Sequence, residues 1–257
     1  MKKLLAVLSI AVLGVLMLGS CSDSSNNTTP EEKDLFPAKV GSHWVYERTY
    51  VEDNETKTTS DSVIVVELSS KFGKDCQKYN TFIGGVKYDE FFRFSAEGKL
   101  YALPSELLPS DLTALLPAEI FPQDWVVIAD DNSNTWNMFT IPVDNVNLQI
   151  SGANAVLNGE IKVSGQKGAK ANMTVSGKTY STQEFITKIA YTGKVTYGPL
   201  SPDLTFEVVT KSYFADKVGL VKLETPKQDV TINLGAPITL YTIQPLTRML
   251  HHFDIVE

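Results

Sequence analysis

The chain has 257 residues, 43% of them hydrophobic, with 23 Lys and Arg against 30 Asp and Glu for a net charge of −7. That length and apolar content suffice for a sizeable core, in one large β domain or two smaller ones. An acidic chain without clustered Lys or Arg argues against nucleic acid, and against a polybasic membrane patch.

First in chain order is Leu4–Leu18, an apolar run preceded by Lys2 and Lys3 and followed by Gly19, Ser20 and Cys21. It falls short of the about 20 residues that span a bilayer as a helix. A charged start, a short apolar stretch and small residues before a cysteine read as a signal peptide over residues 1–20. Leu18-Gly19-Ser20-Cys21 resembles the lipobox read by lipoprotein signal peptidase. The resemblance implies that Cys21 becomes the mature N-terminus and carries a diacylglycerol thioether and an N-acyl chain such as palmitate. Buried acyl chains contribute about 0.8 kcal/mol per methylene, and more than one chain makes the anchor effectively permanent. Ser22, where an Asp would retain the protein at the inner membrane under the enteric sorting rule, favours the outer membrane of a Gram-negative bacterium.

Residues 21–35 follow as the lipidated cysteine and a tether. Ser24-Ser25-Asn26-Asn27-Thr28-Thr29-Pro30 and Glu31-Glu32 cannot bury a core. A flexible chain of this length holds a domain roughly 20 Å from the membrane on average. Loss of residues 1–20 takes Lys2 and Lys3 with it and moves the net charge from −7 to −9. With Cys21 lipidated, Cys76 has no partner for an intramolecular disulfide. Cys76 lies in the strand-like Asp75-Cys76-Gln77-Lys78-Tyr79 and reads as a small buried apolar residue. A nucleophilic role finds no histidine near it in sequence.

Residues 36–257 read as strand after strand. Trp44–Tyr50 places Trp44, Tyr46, Arg48 and Tyr50 on one face; Ser62–Leu68 is β-branched and apolar. Val86–Phe94 and Lys99–Leu103 flank Ser95-Ala96-Glu97-Gly98, a hairpin signal. Val146, Leu148 and Ile150 alternate, as do Leu157, Gly159, Ile161 and Val163, and Gly165-Gln166-Lys167-Gly168 reads as a turn. Phe185–Tyr197 and Thr205–Phe214 are long alternations, and Asp216-Lys217 turns the chain into Val218–Glu224. Short connections make the sheet mainly antiparallel. Leu103–Trp125 breaks the pattern with Pro104, Pro109, Pro117 and Pro122 among leucines. Ser105 and Ser110 are candidate caps for short helices there. The segment is either a crossover that covers one end or edge of the sheet or a lid over a cavity. The expected fold is mainly β: a single curved, mostly antiparallel sheet or half-barrel with a short helical or loop cover.

Phe36-Pro37-Ala38-Lys39-Val40-Gly41-Ser42-His43-Trp44-Val45-Tyr46-Glu47 resembles the opening strand of a group of exported bacterial lipoproteins, which runs Phe-Pro-x3-Gly-x2-Trp-x-Tyr. Tyr213-Phe214-Ala215-Asp216-Lys217-Val218-Gly219-Leu220-Val221-Lys222 is similar to that group's second signature, an aromatic strand turning into Val-Gly-Leu-Val-Lys. The resemblance implies a curved antiparallel sheet similar to the half-barrels of lipoprotein-sorting carriers, and it brings no catalytic residues. Gly41 and Gly219 fall where turns or bulges need an unhindered backbone. Trp44 and Tyr46 are core anchors or cavity wall.

The remaining candidates for chemistry are sparse. Asp130, Asn132 and Asn134 occupy the first ligand positions of a calcium loop, but Thr135 replaces the turn glycine and Ile141 the terminal Glu. A polar turn is the better reading. His251 and His252 point to opposite faces of a strand, and with His43 they make three scattered imidazoles, so no metal or other cofactor is expected. Asp61-Ser62-Val63 resembles an O-glycosylation triplet of some anaerobic Gram-negative bacteria. No nucleophile or phosphate-loop motif occurs, so no catalytic residue is assigned. The leading reading is a non-catalytic, membrane-anchored binding or carrier module for an apolar or amphipathic ligand. The alternatives are a structural or assembly protein with a solid core and an envelope-protein partner, and a hydrolase built from distant carboxylates.

Overall fold

The computed structural model describes residues 34–37, 39–108, 116, 118–150, 153–233 and 237–256. Cys21, the signal peptide, most of the tether and Ser110 lie outside the described residues.

The N-terminal half is a meander of β1 (His43–Glu52), β2 (Glu55–Lys71), β3 (Lys74–Ile83), β4 (Val86–Ala96) and β5 (Lys99–Ala102). Its hairpins turn on Asp53-Asn54, Phe72-Gly73, Gly84-Gly85 and Glu97-Gly98, every one of these residues at positive φ. Two-residue turns of that geometry match the twist of the flanking strands and fix their register. Then come β6 (Val126–Asp130), β7 (Thr135–Ile150), β8 (Ala153–Val175), β9 (Lys178–Thr196), β10 (Asp203–Ala215), β11 (Gly219–Thr225), β12 (Gln228–Asn233), β13 (Pro237–Ile243) and β14 (Leu246–Asp254). Twelve strands form one antiparallel sheet in the order β6-β5-β4-β3-β2-β1-β14-β11-β10-β9-β8-β7, and β12 and β13 pair separately.

The sheet curls until it is nearly closed into a barrel. Its two edge strands meet through side chains: the Trp136 indole on β7 donates to the Val127 carbonyl on β6 at 2.7 Å. Lys167 of β8 reaches the Asp131 carboxylate beyond β6 at 2.8 Å. Such contacts cover edges that would otherwise offer unpaired backbone to another chain.

Two predicted features differ. The segment Gly165-Gln166-Lys167-Gly168 is no turn but lies within β8, with only a bulge between Lys167 and Lys170. Gly165 serves close packing instead: a Cβ there would collide with the Trp136 ring that joins the edges. Ser105 caps no helix; it lies inside a 3-10 turn, Pro104–Glu106, whose N-cap is Leu103 without a side-chain hydrogen bond. The two described helical elements of the proline-rich segment are this turn and Ala118–Ile120.

Period-two alternation puts the apolar face inside. One cluster gathers Leu35, Phe36, Trp44, Tyr46, Tyr79, Phe185 and Phe214; a second gathers Ile141, Ile161, Val163, Tyr191 and Leu204. Leu108, Leu116 and Phe121 join the second, so these residues of the proline-rich segment are core and not a loose flap. Trp44 is fully buried and its indole donates to the Val218 carbonyl at 2.6 Å. Gly219, next in the chain, has φ of +95°, a conformation that side chains rarely adopt, and lies against the Trp44 ring. The two signature stretches are thus in direct contact.

Two substitutions test this packing by thermal or urea unfolding. Gly165→Ala overpacks the β7 edge and is expected to cost about 1–3 kcal/mol. Leu116→Ala opens a void in the second cluster and is expected to cost about 2–5 kcal/mol.

Candidate functional site

Between the two clusters the barrel interior is not filled. A cavity of about 430 Å³ is lined from nearly every side of the sheet, by Val63, Phe91, Leu100, Leu107, Ile128, Ile189, Phe214 and Leu220 among others. Its volume lies in the roughly 300–1,000 Å³ range of ligand pockets. Leu107 and Glu106 bring the proline-rich segment into its wall.

Charged groups stand on this apolar lining. Arg48 on β1 and Arg248 on β14 are direct cross-strand partners, and both line the cavity with Asp61 of β2. Like charges placed opposite each other destabilise a sheet unless a counter-charge joins them. Asp61 is that counter-charge, but it serves the two unequally: Arg248 Nε lies 3.0 Å from Asp61 Oδ2, Arg48 Nε 4.0 Å. The Asp61 side chain is only 3% exposed, and its Oδ1 has no hydrogen-bond partner. Burial pushes the Asp61 carboxyl above its ordinary pKa, against the pull of Arg248 and then Arg48.

Aromatic rings hold the guanidinium groups in place. Arg248 lies over the Tyr46 ring at 4.7 Å and Arg48 over Tyr50 at 4.7 Å. The Tyr46 hydroxyl donates to the Leu220 carbonyl at 3.0 Å, and burial holds this phenol far above its ordinary pKa. Across the cavity Arg93 is paired with Glu106, which also accepts the Phe92 N–H at 3.0 Å. That pair is complete and neutral.

The structure brings some of the residues singled out in the sequence to this site and leaves others away from it. Trp44 is core, whereas Tyr46 is both buried and part of the cavity wall. Asp130 spends its carboxylate on the Asn132 N–H at 2.9 Å and on Lys99 at 3.9 Å, the geometry of a polar turn. His43 and His252 stand with rings 6.1 Å apart, and His251 is exposed. Asp61 and Val63 face the cavity, leaving Ser62 half-buried in a central strand. Cys76 is buried, and burial pushes its thiol up. Arg48, Asp61 and Arg248 were not assigned as a site from sequence. The available signal was phase: Arg48 shares the face of Trp44 and Tyr46, and Asp61 that of Val63 and Val65.

No protein-family model matches the sequence, and neither does any curated protein. The fold resembles that of a candidate lipoprotein from Parabacteroides distasonis, with 10% identity, a TM-score of 0.47, and coverage of 86% of this chain and 99% of that one. It also resembles a candidate exported protein with a YmcC-like fold from Bacteroides fragilis, with 12% identity, a TM-score of 0.40, and coverage of 86% and 99%.

The buried, proton-retaining Cys76 thiol should be inert toward a disulfide reagent at neutral pH, because the thiolate is the reactive form. One equivalent of thiol should react promptly on unfolding in guanidinium, and rapid labelling of the folded protein would contradict the placement.

Proposed function

We propose that this chain is a lipid-anchored protein of the cell envelope that binds an apolar or amphipathic ligand inside its near-barrel, without catalysis. The observation that carries the reading is the cavity of about 430 Å³, walled by apolar and polar side chains together and bearing an incompletely satisfied Arg–Asp–Arg group. A domain selected only for rigidity gains by filling such a volume, because voids forfeit packing. The anchoring half rests on Leu18-Gly19-Ser20-Cys21, and Ser22 favours the outer membrane. The lining offers carboxylates, hydroxyls and arginines, with no histidine, lysine or cysteine among its described residues.

A solid assembly protein is the competing reading, and the two packed clusters at either end of the cavity favour it. The two readings part on ligand uptake. Protein purified from envelopes should yield a stoichiometric lipid on organic extraction, detected by mass spectrometry. Adding that lipid back should raise the melting temperature by mass action. An empty extract, with no lipid raising the melting temperature, would favour the scaffold.

Anchoring has its own test. Cys21→Ser should leave an unprocessed precursor that no longer incorporates labelled palmitate. Continued labelling would overturn the assignment of Cys21.

A further inference from the structure

Three arginines and three carboxylates line the cavity, but among the buried and half-buried ones the charges do not balance, and that local imbalance points to a ligand. Its buried or half-buried lining holds Arg48, Arg248 and Arg93 against Asp61 and Glu106. Arg93 and Glu106 neutralise each other. Asp89 also lines the cavity but is exposed, and its carboxylate accepts the neighbouring Glu90 N–H at 2.7 Å. What remains is two guanidinium groups sharing one buried carboxylate, a local excess of one positive charge facing the cavity.

Arg48 is the more distant of the two from the shared carboxylate. Its guanidinium lies 4.0 Å from Asp61 Oδ2, sits over the Tyr50 ring, and keeps 26% of its side chain exposed. Arg248, 18% exposed, is the unsatisfied member: its Nε, though 3.0 Å from Asp61 Oδ2, and its Nη2 are buried without a hydrogen-bond partner. A planar guanidinium with free donors is shaped for the two oxygens of a carboxylate or for those of a phosphate.

We propose that Arg48 and Arg248 form the head-group site of the cavity, and that its ligand is a single-chain amphiphile with one negative charge, in the simplest case an ionised long-chain fatty acid. The inference rests on the carrier reading and adds the polarity and charge of the ligand. One anion between the two arginines cancels the excess charge. The chain then lies along Val63, Leu100, Ile128, Ile189 and Phe214. Asp61 acts as a positioning residue: it holds Arg248 in place and keeps the site from accumulating two uncompensated charges.

The test compares oleate with oleyl alcohol, both below their micellar concentrations, by titration calorimetry. It uses the chain from Ser22 onward, which retains the entire compact unit Glu32–Glu257 with both core clusters. Oleate should bind about tenfold to a hundredfold more tightly than the alcohol, the usual value of a hydrogen-bonded charged group. Arg48→Met and Arg248→Met should each remove most of that preference while leaving affinity for the alcohol nearly unchanged. A purely structural role would lower both affinities together. Arg48→Lys, which keeps the charge and loses the fork, should retain part of the preference, so the result does not depend on a variant that folds poorly. Asp61→Asn should tighten oleate and not the alcohol, since it adds one uncompensated positive charge. Equal affinity for the two ligands, unaffected by either arginine, would overturn the head-group site and leave the carrier reading standing. Failure of both to bind, together with an empty lipid extract, would remove the carrier reading and this inference with it.

Discussion

The pairing of the first strand with the last governs the rest of the molecule. β1 is hydrogen-bonded to β2 on one side and to β14 on the other, from His43 opposite Asp254 to Tyr50 opposite Leu246. Each half of the sheet is built mainly of pairings between strands adjacent in sequence. Only this long-range ladder joins them into a sheet wide enough to curl round an interior. The loop-closure entropy of such a contact must be met before its hydrogen bonds form. The Trp44 indole on the Val218 carbonyl and the Tyr46 hydroxyl on the Leu220 carbonyl lock the same seam from inside.

That seam is also where the polar group sits. Arg48 and Arg248 face each other across β1 and β14 because the register places them there, and Asp61 follows on the neighbouring strand. Buried ion groups cost more to desolvate than they return unless their hydrogen bonds are complete, and here they are not. A protein that keeps such an arrangement at its central joint gives up stability at that point. The sides of the barrel are treated differently: Arg93 and Glu106 are paired, and Trp136 and Lys167 close the edges through neutral or balanced contacts. Among the described residues, buried polar atoms without partners occur at this seam, on Asp61 and Arg248, and on β3, at Gln77, Tyr79 and Asn80.

The proline-rich stretch shows how a single segment can have two roles. Leu108, Leu116 and Phe121 pack into the second cluster. Leu107 and Glu106, on the same segment, form part of the cavity wall, and Glu106 fixes Arg93. Core packing restrains these residues more than those of a hinged lid would be restrained.

The sequence by itself determined the class of fold and the phase of its strands. Alternation in Trp44–Tyr50, Phe185–Tyr197 and Thr205–Phe214 reports burial on one face, a local property that survives in any sheet arrangement. It also determined the aromatic anchors, since Trp44 and Tyr46 have few soluble alternatives to an interior. It misread Gly165-Gln166-Lys167-Gly168 as a turn, because a glycine that makes room for the Trp136 ring looks, in one dimension, like a glycine that bends the chain. The site itself was decided by tertiary structure alone. Arg48, Asp61 and Arg248 are unremarkable polar residues in three separate strands, and nothing local says that two of them are opposite each other. Strand register across the β1–β14 seam brings them together, and register between the ends of a chain is set by the closure of the whole sheet.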